Sequence, residues 1–291
     1  MDNVFITQVV LPAALFTIML GVGLSLSVRD FSAVLGRPVA SGLGIGMQLL
    51  LLPVLGFVVA TVMELPPVLA VGLMILTFAP GGATSNLITF LARGDTALSV
   101  SMTAVVSVIA PFTLPLLTVL CIEHWLGQTA DMAFPVLPTI MKLVTMTIVP
   151  IAIGVAFHEK FPAQAAKLQR PVKVLSVLFL LLVVIGITRA NWARLPELLA
   201  SVGPALILLI ALAFLAAFII AHFARLDERQ AMTLGIEVGI QNAGIALLVA
   251  GTILQNAEMA AVALAYGILM NVPAALLIVY RNLNPRVAAA T

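Results

Sequence analysis

Thr77-Phe78-Ala79-Pro80-Gly81-Gly82-Ala83-Thr84-Ser85-Asn86 lies in the middle of an apolar run from roughly 67 to 92. A run of that length forms a helix that crosses the ~30 Å hydrocarbon core of a bilayer. Pro80 removes a backbone donor and clashes with the preceding turn, and Gly81-Gly82 lowers the cost of leaving helical geometry. The helix is therefore expected to break here. A second such stretch, Gly235-Ile236-Glu237-Val238-Gly239-Ile240-Gln241-Asn242-Ala243-Gly244, sits mid-way along the run from roughly 229 to 255. It holds three glycines, a carboxylate and two amides. Neither stretch suits lipid contact, because the freed backbone groups would find no partner there. Broken helices persist where they are buried or line a water-filled cavity, and a pair of them in corresponding halves of a chain points to a transporter binding site.

The rest of the chain agrees. Of 291 residues, 62% are hydrophobic and 9% charged, against ~25% charged in soluble domains. Mean hydropathy is +1.20. Nine apolar runs are expected to span, at roughly 4–26, 38–62, 67–92, 95–121, 135–157, 171–189, 202–223, 229–255 and 259–280. The predicted fold class is an all-α polytopic membrane protein with nine transmembrane helices. A soluble enzyme, a secreted module and a nucleic-acid partner are excluded together. A β-barrel is excluded too, since its strands would alternate in polarity and be about half as long. The connections near 122–134 and 158–170 are read as short and partly helical at best. The start, Met1 to Val10, lacks a basic n-region and is read as a retained first span. With a single cysteine, Cys121, the chain says nothing about redox compartment.

Orientation follows from the basic residues. Eleven of the 14 fall on one side, from Arg29 and Arg37 through Arg93 to Arg281 and Arg286, while Arg189 and Arg194 fall on the other and Lys142 lies within span five. Basic loops stay cytoplasmic. The N-terminus is expected outside and the C-terminus in the cytoplasm, in a cell inner membrane.

The two broken spans are the third and the eighth. An offset of five reverses direction, so spans one to four match spans six to nine as an inverted repeat, with span five unpaired. Glu237 is the acidic residue away from any span end, and a carboxylate at that depth costs at least ~2.5–3.5 kcal/mol. It calls for a bound cation, a proton, or a hydrogen-bonded structural role. Gln241 is four residues on. Ser99 and Thr103 share one face of span four, although such hydroxyls also bond their own helix. Gln48 in span two serves either as helix–helix glue or as a ligand. Asn271 stands beside Pro273 in span nine, the repeat partner of span four. His124, His158 and His222 sit at span ends and are read as structural.

Pro80-Gly81-Gly82-Ala83-Thr84-Ser85-Asn86, followed by Leu91-Ala92-Arg93-Gly94-Asp95 and Ala97-Leu98-Ser99, resembles the signature of the bile acid:sodium symporter family. Ile236-Glu237-Val238-Gly239-Ile240-Gln241-Asn242-Ala243-Gly244 resembles its second signature. The similarity runs from Gly21-Val22-Gly23-Leu24-Ser25-Leu26 to span nine, in a bacterial-type form with nine spans. The resemblance implies a core domain (about 38–121 and 202–280) in which the two broken helices cross, and a panel domain (about 4–26 and 135–189). It also implies two Na⁺ sites. One would use Ser85, Asn86, Ser99, Thr103 and Glu237; the other Gln48, Glu237, Gln241 and the carbonyls of Val238 and Ile240. Substrate would lie near Ala83, Thr84, Asn242 and Asn271. Met270 stands where a His is familiar, and Ala83 replaces a familiar Thr. These departures fall in the substrate region and leave the cation set intact.

The expected function is a sodium-coupled secondary active symporter that imports a small organic anion by alternating access. The anion would be bile-salt-like, a keto or hydroxy acid, or a vitamin precursor. The alternative is a proton-coupled or uncoupled exporter on the same fold. No cofactor beyond the coupling ion and no obligatory protein partner are expected. An intramembrane enzyme is not, since no His, Cys or second carboxylate shares the depth of Glu237.

Overall fold

The computed structural model describes residues 6–127, 134–190 and 195–283. Arg194 and Arg286, the outer end of the first span, part of the 122–134 connection and the C-terminal tail lie outside the described residues. All secondary structure among the described residues is helical. A π turn leads into α1 (Leu11–Ser25), followed by α2 (Val28–Gly36), α3 (Pro38–Val62), α4 (Pro67–Thr77), α5 (Ala83–Leu91) and α6 (Thr96–Leu126). Then come α7 (Val136–Lys160), α8 (Pro162–Ala190), α9 (Leu195–Phe223), α10 (Glu228–Gly239), α11 (Ala243–Leu247, carried on by a π segment to Ile253) and α12 (Ala257–Leu283, with a turn at Met270).

Among the described residues seven helices, counting α10 with α11 as one, are long and apolar enough to cross a membrane, and α4 is a shorter apolar helix. Large apolar side chains such as Leu50, Leu116, Leu215 and Leu276 stand out from the surface, as they do where the neighbour is lipid rather than water. This is a multi-pass membrane protein.

Two connections are more regular than expected. The 158–170 segment is almost wholly helical: only Phe161 leaves helical geometry (φ −136°, ψ 63°), and Pro162 restarts the chain as α8. The loop after α1 contains α2, whose start is fixed by Ser27 N–H donating to Asp30 Oδ2 (2.6 Å). That Ser-x-x-Asp spacing is a capping signal.

Both interrupted spans break where the sequence places the glycines and the proline. α4 ends at Thr77 and α5 starts at Ala83; α10 ends at Gly239 and α11 starts at Ala243. The breaks meet, since Asn242 N–H donates to the Pro80 carbonyl at 2.8 Å. Helix ends also recur at a near-constant interval. Glu228 opens α10 161 residues after Pro67 opens α4, and Ala257 opens α12 161 after Thr96 opens α6. Four helices finish on a non-glycine residue with left-handed backbone: Glu64, Arg93, Arg225 and Gln255. At three of them the next N–H reaches back five residues to close the helix end, Leu65 to Ala60, Gly94 to Thr89 and Leu226 to Ala221, which is a Schellman closure; at the fourth, after a π segment, it reaches back six, Asn256 to Ala250. The caps pair as Glu64 with Arg225 and Arg93 with Gln255.

α1 packs on α7 and α8, and α3 to α6 pack with α9 to α12. The α1–α7 contact is backbone on backbone. A Cβ on Gly154 would lie 2.6 Å from Leu24 N, and one on Gly23 would strike the Ile151 backbone. Small residues permit such an approach between membrane helices.

Candidate functional site

Glu237, in the last turn of α10, is fully buried. Ser99 Oγ donates to its Oε1 (2.5 Å) and Thr103 Oγ1 to its Oε2 (2.9 Å). The same hydroxyls stand 2.7 and 3.2 Å from Asn86 Oδ1 on α5. Ser99 and Thr103 share one face of α6, as their spacing predicted. Each hydroxyl carries one hydrogen, so two hydrogens serve four short oxygen–oxygen contacts. With the amide oxygen inward, the cluster holds more acceptors than donors, which is the inventory of a cation cage. With the Asn86 amide turned over, Nδ2 would donate to both hydroxyls and the network would close without an ion. The ion pairs among the described residues leave Glu237 out, so no side-chain cation balances it.

Ser85, also buried, is used differently. Its Oγ donates to the Gly82 carbonyl (2.8 Å) and accepts from Gly82 N–H (3.3 Å), closing the first turn of α5. It still lies beside the cluster. A Cβ on Gly81 would be 3.3 Å from Ser85 Oγ, 3.1 Å from Gln48 Nε2 and 2.7 Å from Glu237 Oε2. Gly81 is thus the point where the surroundings of Ser85, Gln48 and Glu237 meet, and only a hydrogen fits there.

Behind Glu237, Gln48 and Gln241 of the second expected set meet at the backbone of α10. Gln48 Nε2 donates to the Glu237 carbonyl (2.7 Å), while Gln241 Nε2 donates to the carbonyls of Val238 (2.7 Å) and Glu237 (3.2 Å). Ile240 steps out of the helix into extended backbone. Both amides are buried, and both Oε1 atoms have no hydrogen-bond partner. A buried amide oxygen left unpaired costs ~1–3 kcal/mol. Two of them, on side chains that bond the Glu237 carbonyl just before the break, are suited to a hard monovalent cation. No group of three or more His, Cys, Asp or Glu occurs among the described residues, so the donor set is one carboxylate with neutral oxygens.

Ala83, Thr84 and Asn242 line a cavity of about 120 Å³ at the crossing, with Gln241, Ile18 and Met270. Asn242 Oδ1 caps α11 by accepting from Ile245 N–H (3.2 Å). An adjoining cavity of about 430 Å³ shares Ile18 and Ala83 and runs along α5 past Asn86 and Leu87 to Phe90, with Ser25 and Gln169 opposite. Asn271 is not among the residues lining either cavity: it is exposed, and its Nδ2 bonds the Gly267 carbonyl one turn back at 2.6 Å.

Tyr266 escaped the sequence reading. Buried in α12, it donates from its hydroxyl to the Gly239 carbonyl at 2.9 Å, holding the end of α10 at the break. The available signal was a tyrosine in mid-span, far from the interfaces where that residue ordinarily sits.

Residues 12–198 match the Sodium Bile acid symporter family. The chain is 30% identical over 267 residues to the uncharacterized sodium-dependent transporter YocS of Bacillus subtilis, covering 92% of this chain and 78% of that protein. It is 31% identical over 239 residues to a protein of Oryza sativa named "Probable sodium/metabolite cotransporter BASS2, chloroplastic", covering 80% and 54%. To human sodium/bile acid cotransporter 4 it is 32% identical over 235 residues, covering 79% and 53%. The chain thus spans about half the length of the rice and human relatives. With a family match over residues 12–198 and a relative 30% identical across 92% of this chain, the chain belongs to the sodium bile acid symporter family.

Proposed function

We propose that this protein is a Na⁺-coupled symporter that imports a small organic anion by alternating access, with two cation positions that share Glu237. One uses Asn86, Ser99 and Thr103 with Ser85 alongside; the other uses Gln48, Gln241 and the carbonyls of Val238 and Ile240. The observation that carries this reading is the surplus of buried oxygens around one uncompensated carboxylate, including the two orphan amide oxygens. The names of its relatives, all transporters or cotransporters, point the same way.

Nine spans result when α4 with α5 counts as one span and α8 as another. The recurring helix ends support an inverted repeat in which α3 to α6 correspond to α9 to α12. The packing supports a panel of α1, α7 and α8 against a core of the rest. The basic residues put the N-terminus outside a cell inner membrane. The anion is placed next to Ala83, Thr84 and Asn242, before the first turn of α5, where helix N-termini favour negative charge. Among the described residues lining the two cavities there is no Arg, Lys or His. Attraction for the anion then comes from that helix end and from the bound cations, which makes anion affinity Na⁺-dependent. Two Na⁺ with a monoanion carry one net charge inward, worth about 2.3 kcal/mol per 100 mV.

The test is thermal stability of the purified protein in Na⁺ against K⁺, across pH and without substrate. Na⁺-selective stabilisation that vanishes in Glu237→Ala is the expected result. Stability that ignores Na⁺ and tracks pH instead would replace this reading with the proton-coupled exporter.

A further inference from the structure

Below the cation cluster, towards the arginine-rich end, lies a second polar layer that the transport cycle described above does not use. The same helices supply both layers. Thr89 is one turn on from Asn86 in α5, Asp95 one turn before Ser99 at the start of α6, and Thr233 one turn before Glu237 in α10. The lower three are held together. Asp95 N–H donates to Thr233 Oγ1 (2.8 Å). A Cβ on Gly94 would lie 2.8 Å from both Thr233 Oγ1 and Thr89 Cγ2, so the Gly94 backbone is wedged between those two threonines. Thr89 is fully buried, yet its hydroxyl has no partner; Ser41, one turn into α3 from Arg37, is buried and partnerless too. The Asp95 carboxylate closes the layer at the surface. Its Oδ1 caps α6 through Leu98 N–H (3.1 Å), and its Oδ2 pairs with Arg37. The Arg37 side chain is 44% exposed against 15% for Asp95, so the guanidinium can swing into water while the carboxylate stays in place.

Resting on the cation-site reading above, we propose that Thr89, Thr233 and Asp95 form a transient cation station on the release path from Glu237, with Arg37 as its movable stopper. An ion leaving Glu237 needs oxygen ligands at each step, and the lower layer supplies a hydroxyl with spare capacity and a carboxylate. While Arg37 occupies Asp95 the path is shut. When Arg37 moves to solvent, Asp95 exchanges one cation for another, and the ion passes on.

The experiment measures release of ²²Na⁺ from proteoliposomes through the arginine-bearing face, alongside equilibrium Na⁺ affinity. Asp95→Asn keeps the α6 cap, since Asn caps as well as Asp, but removes the charge. Thr89→Val removes a hydroxyl that bonds nothing, so packing alone predicts unchanged or improved stability. Thr89→Val is expected to slow release roughly fivefold, the ratio set by one lost contact of hydrogen-bond strength, with Na⁺ affinity kept. Arg37→Gln is expected to speed release. Because Asp95→Asn also frees Arg37, it is made in the Arg37→Gln background, where it should slow release by a similar factor. A wild-type release rate in Thr89→Val, together with an Arg37→Gln rate left unchanged by Asp95→Asn, would overturn the station. If instead Glu237→Gln keeps Na⁺-selective stabilisation, the cation-site reading itself has failed and the path falls with it.

Discussion

Gly81 has no room for a side chain, because a Cβ would press on Glu237 Oε2 at 2.7 Å. Gly81→Ala therefore displaces the carboxylate shared by both proposed cation positions. Overpacking of this kind costs ~1–3 kcal/mol, so the Na⁺ needed for half-maximal stabilisation should rise by about tenfold or more in a thermal titration. Thr103→Val keeps shape and removes one ligand. It should raise the Na⁺ requirement for uptake roughly fivefold, as expected for one hydrogen-bond-strength contact, and an unchanged requirement would remove Thr103 from the site. Glu237, Gln241, Ser99 and Thr103 were legible because burial of a carboxylate and i, i+4 spacing are properties of one helix at a time. That both hydroxyls also approach Asn86, and that Thr233 meets Asp95, depends on how α5, α6 and α10 cross, which no single run of sequence encodes.

The half-helices are held at both ends. α5 begins at the crossing, and its last carbonyls are taken by α12: Arg281 Nε donates to Ala92 (3.2 Å) and Asn282 Nδ2 to Leu91 (2.9 Å). Arg281 is buried despite its charge and also pairs with Glu228 at the start of α10. The sequence reading took Arg281 only as a marker of orientation, since nothing local distinguishes it from its neighbours. α10 is held at its other end by Tyr266. Tyr266→Phe should lower stability by about 1 kcal/mol and loosen the break, seen as a lower melting temperature with weaker Na⁺ stabilisation. Asn242 caps α11 and lines the cavity at the crossing, where the anion is proposed to bind. Asn242→Asp keeps the cap, so melting should be nearly unchanged. Its added negative charge at the cavity should suppress anion-dependent uptake, and uptake at the wild-type level would place the anion elsewhere.

Across the whole molecule the helix ends repeat but the chemistry does not. Displacing Glu237, Ser99 and Thr103 by the 161-residue interval leads to Leu76, Ala260 and Leu264, all buried and apolar. The polar cluster is made once, with Ser99 and Thr103 from the first set of helices and Glu237 from the second, and the positions one interval away present packing. The inverted repeat was an inference from parity and the breaks alone, because reversal of direction needs only a span count. The cavity beside it was not legible, being a gap between α1, α5 and α8. That gap runs from the crossing towards Phe90, at the arginine-rich end. In a Cys121→Ser background, Leu87→Cys should therefore react with a membrane-impermeant thiol reagent in inside-out vesicles and be spared in right-side-out ones. The Gly23–Gly154 contact bears on what moves. Where two backbones touch there is no side chain to compress or re-rotamer, so α1 and α7 act as a single strut. Turnover then has to bend the chain where the strut is jointed to its surroundings. The two extended residues Leu26 and Ser27, lying between α1 and α2, are where that bending would fall, and stiffening them would trap the carrier on one side.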